Sequence, residues 1–292
     1  MANANPNKQP TVRARIRFAK YGVMRFVGHL DMMRFFQKAI RRAGLPIAYS
    51  GGFHPHQIMS FALPLGIGVT SEGEYMDIEL TEKVVPENAI QRLNDQMADG
   101  VKVLSFVYLP DKSQKAMAAV EAASYVVGLK EPEGKAVHVL ARQGADGSAG
   151  MGNDGSIFAE MPLEPLFREG LRLFYEEADD IIIIKKTKKS ERQLDLKPLI
   201  YEFKLSDNAE KTAFLPSKDV GVSNGDQHDL YFYLTLSAGS TDNIKPELVF
   251  SHFMKSLGIE EDAYRLAIHR LDLLTRNPEG QFVSLGDAVG LL

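Results

Sequence analysis

His54 and His56 stand two residues apart in YSGGFHPHQIMSFALPLGIGVTSEGEY, residues 49–75, a segment that also holds five glycines and two prolines. Imidazole is the side chain that both gives and takes a proton near neutral pH, and it is the commonest metal ligand. In an extended chain residues i and i+2 point to the same side, so both rings can face one ligand, and Pro55 stiffens the link between them. His29, at the start of a basic segment, joins them if the strand and helix ends converge. Three functional readings follow. The imidazoles bind a divalent metal, although no HExxH or comparable carboxylate spacing accompanies them. They act as acid and base on RNA. Or the loop Ser50, Gly52, Phe53, His54, His56 shapes a ligand site without chemistry of its own. Against all three stands a structural reading, in which His54 and His56 hydrogen-bond the irregular backbone and organise the turn.

Charge concentrates just upstream. Residues 1–50 hold ten basic residues against one acid, Asp31, whereas residues 51–80 hold four acids and no base. A basic strand followed by a basic helix resembles an electrostatic footprint for phosphate. The strand part, Arg13, Arg15 and Arg17, has a structural alternative, because a neighbouring antiparallel strand carrying Tyr75, Asp77 and Glu79 neutralises it across the pair. The helical set Arg34, Lys38, Arg41 and Arg42 has only Asp31 nearby in sequence and forms an exposed basic face, fit for RNA or another polyanion or simply for water.

The elements that position these residues are legible from periodicity. Residues 11–19 alternate strictly, with Val12, Ala14, Ile16 and Phe18 on one face and the three arginines on the other. A helix over 29–43 follows, with Leu30, Met33, Phe36 (or Phe35) and Ile40 at helical spacing and Gly44 as its stop. EYMDIEL (74–80) alternates again, Pro86 opens a helix that ends by Gly100, and 101–109 makes another strand. With one strand drawn from 45–63, the order is βαββαβ. The second half repeats it more loosely: a strand at 123–129, a helix at 163–178, strands drawn from 180–186, 199–205 and 230–238, a helix at 246–257 and a strand at 264–274. The expected fold is therefore α+β, two tandem ferredoxin-like halves with antiparallel sheets, spanning 11–112 and 120–276, with a peripheral tail at 277–292. Two polar segments, 141–156 and 206–229, are expected as flexible loops.

Composition excludes several functions. The 292 residues contain no cysteine, which removes disulfides, thiolate nucleophiles, Cys-ligated zinc and iron-sulfur clusters. A net charge of -4 argues against a globally basic coat. No apolar run is long enough to cross a bilayer and MANANPNKQP is no signal peptide, so a cytoplasmic protein without membrane contact is expected. Neither GxxxxGK[ST] nor a strand-helix GxGxxG occurs, and no cofactor or metal is expected.

Residues 26–80 carry a family resemblance. A His-Leu-Asp opening, a basic helix ending Arg-Arg-Ala-Gly-Leu-Pro, the loop Ser-Gly-Gly-Phe-His-Pro-His and the Leu-Pro-Leu-Gly run toward an acidic strand look like the signature of bacterial radical-SAM-associated proteins, a family without assigned activity. NIKPELVF (243–250) resembles that family's C-terminal element. The resemblance implies an accessory role beside a separately encoded radical SAM protein, since a chain without cysteine cannot hold that enzyme's cluster. The expected function is RNA recognition or substrate presentation, with RNA as second partner and no catalysis by this chain. Contact residues are expected to be Arg34, Lys38, Arg41 and Arg42 with Ser50, Gly52, Phe53, His54 and His56. The alternatives are a metal-independent ribonuclease using His29, His54 or His56, similar in fold to CRISPR repeat-processing endonucleases, and a protein-protein adaptor.

Overall fold

The computed structural model describes residues 11–130, 150–151, 157–158, 163–186, 191–206, 230–239, 242–259 and 264–289. Most of the segments 141–156 and 206–229 lies outside the described residues. In chain order the elements are β1 (Val12–Lys20), α1 (His29–Arg42), β2 (Met59–Phe61), β3 (Thr70–Leu80), α2 (Pro86–Asn94), β4 (Val101–Tyr108), α3 (Ala116–Ala119), β5 (Ala122–Lys130), β6 (Gly150–Met151) and β7 (Ile157–Phe158). There follow α4 (Leu163–Leu171), β8 (Ile182–Lys186), β9 (Glu191–Asp195), β10 (Ile200–Leu205), β11 (Leu230–Ser237), α5 (Pro246–Ser256), β12 (Arg265–Arg276) and β13 (Phe282–Ser284). The chain divides into two compact units. Unit one holds the described residues up to Ala123 and from Arg270 onward, and unit two those from Ser124 to His269.

In unit one the strand order is β2-β3-β1-β4, with β12 also beside β3. The pairs β2/β3, β1/β3 and β1/β4 are antiparallel. Period-2 alternation decides what the sheet buries. Ala14, Ile16 and Phe18 of β1, Met76, Ile78 and Leu80 of β3, and Val101, Val103 and Phe106 of β4 form one apolar face. Met32, Phe36 and Ile40 of α1 and Ala89 and Leu93 of α2 pack onto it. The stripe of α1 thus runs through Met32 rather than Met33, and Leu30 is exposed. Gly44 ends the helix with φ +60, where other residues are strained. Arg92 of α2 then caps the last turn by donating to the carbonyls of Ala43 and Gly44.

The opposite face carries the charges in register. Arg13 faces Glu79, Arg15 faces Asp77 and Arg17 faces Tyr75 across the β1/β3 pair. Arg15 is buried and donates twice to Asp77, at 2.8 and 3.2 Å, and to the carbonyls of Leu285 and Gln114. Asp77 also accepts the Ala116 amide at 2.7 Å. The strand arginines are internal struts. The described part of the tail is likewise structural, because β13 pairs with β12 and Leu285 and Ala288 are buried.

Unit two has the strand order β10-β11-β5-β12, in which residues 265–269 of β12 belong to this unit. Its core is aromatic. Phe203 and Phe232 on the strands meet Phe250 and Phe253 of α5 with ring centroids 5.1 to 6.0 Å apart, mostly edge to face. Residues 182–186 are a strand as expected, but they pair with β9 in a separate two-stranded ribbon rather than entering the sheet.

Candidate functional site

The SGGFHPH loop is the tip of a hairpin. Ile47 bridges to Leu80 of β3, Tyr49 bridges to Gln57, and the Ser50 amide donates to the His56 carbonyl at 2.8 Å. Ser50 Oγ closes the tip a second time, 2.8 Å from His56 Nδ1 and accepting the His56 amide at 3.1 Å. Gly52, at φ +101, makes the turn that these bonds demand. His56 therefore ties the two arms of the loop together through the Ser50 side chain. Residues 51–56 are all exposed, and Phe53 at the tip keeps 101% of its reference area. The ring of Phe53 thus faces solvent on all sides at the end of the loop. His54, beside it, makes no side-chain hydrogen bond among the described residues.

Gln57, at the foot of the hairpin, is buried and donates its Nε2 to the Gln37 carbonyl of α1 at 3.1 Å. That bond places the loop beside the basic helix. At about 100° per residue, Arg34, Lys38 and Arg41 share an arc of about 60° of α1, with Gln37 adjoining it. All three are exposed. Arg34 pairs with Asp31 at 3.2 Å, both largely in solvent, whereas Lys38 and Arg41 have no side-chain partner among the described residues. Arg42 differs from the other three, since it donates to the side chain and carbonyl of Gln96 at 3.2 Å and ties α1 to the end of α2.

His29 does not join the other two histidines. It opens α1, lies edge-on to Phe61 with centroids 5.3 Å apart, and lines a cavity of about 20 Å³ with Lys20 and Glu74. That volume suits one water molecule. Lys20 Nζ donates to the Val27 carbonyl at 2.7 Å, and Glu74 lies 3.4 Å from Arg270. Burial pushes the Lys20 ammonium down against the opposing pull of Glu74, and burial pushes the Glu74 carboxyl up against Arg270. Sequence reasoning missed this cluster, although its signal was present. Lys20 and Glu74 share the parity of Phe18 and Met76 and thus fall on the buried face. His29 thus lies apart from the exposed pair, and of the three histidines only His54 and His56 share the loop. Among the described residues no group of three or more His, Asp and Glu is placed to hold a metal ion, and no helix is long and apolar enough to cross a membrane.

Fold and site define an α+β protein whose antiparallel sheet carries a basic helix and an exposed Gly/Pro/His hairpin. Residues 13–246 match the model of a family described as an uncharacterized protein conserved in bacteria, DUF2344, and the chain belongs to that family. No curated protein matches it. Among solved structures it is similar to a chain of the "Crystal Structure of a Cbf5-Nop10-Gar1 Complex", with 11% identity and a TM-score of 0.41 over 88% of this chain and 47% of that one. The chain thus spans about half the length of that neighbour.

Proposed function

We propose that this protein binds single-stranded RNA as a non-catalytic accessory to a radical SAM enzyme carried on another polypeptide. Unit one contributes the grip. The Gln57–Gln37 hydrogen bond carries the reading, because it fixes an exposed loop ending in a bare phenyl ring beside three solvent-facing cations. Single strands are commonly held in this way, with cations along the backbone and aromatic side chains under the bases. In both units the strand order and the placement of helices fit a ferredoxin-like unit, and we read the chain as a tandem of two. The radical SAM partnership rests on the resemblance of residues 26–80 alone.

The test is binding of a labelled single-stranded oligoribonucleotide to the whole protein across a salt series. Lys38→Ala and Arg41→Ala are each expected to weaken binding for every sequence and to lower the salt slope by about 1. Phe53→Ala is expected to cost about 1–3 kcal/mol, the range for a lost stacking contact. Absence of binding at low salt, or a slope indifferent to the helix substitutions, overturns the proposal.

A further inference from the structure

A cleft of about 150 Å³ opens in unit one where the hairpin tip ends, lined by His56, Ser60, Glu79, Arg13, Asp77 and Lys115 among others. We infer that it seats one unpaired cytosine, which names the substrate class of the RNA-binding reading and rests on it. Size is the first argument. A cleft of roughly this volume takes a single six-membered ring, so a pyrimidine fits.

Polarity is the second argument. Asp77 is engaged at both oxygens by Arg15 and the Ala116 amide. Glu79 is not: its Oε2 accepts from Thr11 Oγ1 at 3.0 Å, and its Oε1 accepts no hydrogen bond among the described residues. A free carboxylate oxygen is the acceptor that the exocyclic amine of cytosine requires, whereas uracil presents a carbonyl there and is repelled. Arg13 braces the wall of the cleft and does not donate into it. Its Nη1 donates to the Ser113 carbonyl at 2.6 Å, while its buried Nη2 makes no hydrogen bond and stands 3.6 Å from Asp77. Lys115, exposed at the rim, meets a phosphate. The path is short, since His56 both closes the exposed tip and lines the cleft.

Cytidine and uridine 5′-monophosphate test the seat directly, without the helix. With the whole protein followed by NMR, cytidine monophosphate is expected to shift the Ser60, Glu79 and Lys115 amides, with uridine monophosphate binding on the order of tenfold more weakly. Glu79→Gln, which keeps an acceptor for Thr11, should abolish that preference, and Lys115→Ala should weaken both nucleotides alike. Equal response to the two nucleotides, or none to either up to about 10 mM, overturns the seat. If the oligonucleotide fails to bind while the mononucleotide preference stands, the seat is supported and the helix reading alone falls. If the oligonucleotide binds without preference for cytosine, the seat falls and the helix reading survives.

Discussion

Asp77→Ala tests the structural role of the strand arginines. Asp77 accepts two hydrogen bonds from Arg15, an amide from the start of α3 and the longer-range charge of Arg13. Arg15 keeps only 3% of its surface and cannot turn to water once its partner is gone. Breaking one side of a buried pair costs about 3–5 kcal/mol, and stranding a buried amide adds about 1–3, so a loss near 4 kcal/mol is a conservative expectation. With an urea slope of about 2 kcal/mol/M the unfolding midpoint of unit one falls by about 2 M. The double replacement Arg15→Met with Asp77→Leu should recover most of the loss, because it leaves no buried charge behind. Arg13 retains enough exposure to rehydrate. A single substitution that moves the midpoint by less than about 0.3 M refutes the view that these arginines brace the sheet.

Two further outcomes follow from burial and close approach. A Cβ on Gly73 would stand 2.3 Å from both the Cα of Asp272 and the carbonyl oxygen of Leu271, backbone that cannot give, so Gly73→Ala should cost about 3 kcal/mol. Thermal unfolding checks it against Gly51→Ala, which meets nothing within 4 Å and should lie within about 0.5 kcal/mol of the parent. Burial pushes His269 from 6.5 down to about 4. The unfolded chain therefore takes up a proton from about pH 6.5 downward while the folded one does not. Stability present above pH 6.5 is lost as pH falls toward 4, by about 3 kcal/mol at roughly 1.4 kcal/mol per pH unit. Urea titrations at several pH values should show this difference between the parent and His269→Met, and a flat difference between pH 7 and 4 contradicts it.

Much of unit one was legible because alternation and charge agreed. The odd-numbered arginines of β1 and the acids of β3 fixed both faces and the register, and Gly44 marked the helix end through its positive φ. The order of strands around β2 was harder, since three residues are too few for a period and the chain before them is held by single bridges at Ile47 and Tyr49. The run at 182–186 reads as a strand from its β-branched side chains, but nothing local says that it pairs with 191–195 instead of the sheet. At the candidate site the exposed helix cations and the loop were visible as composition. Their contact through Gln57 was not, because a side chain reaching the backbone of a residue twenty positions earlier leaves no periodic trace. Lys20, Glu74 and Arg270 were hidden for a related reason. Their burial depends on each other, and Arg270 lies almost 200 residues beyond Glu74.

The hairpin foot also sets what the loop can become. Gln57 is tied to the helix through its side chain, and both it and His56 line the cleft. Between Ser50 and His56 the chain is exposed and held only at its ends, so residues there can be exchanged or added without disturbing the sheet. One residue inserted after His56 would instead part the tip closure at Ser50 from the Gln57 anchor. Variation is thus tolerated at the tip, with the foot acting as a fixed mount for interchangeable tips.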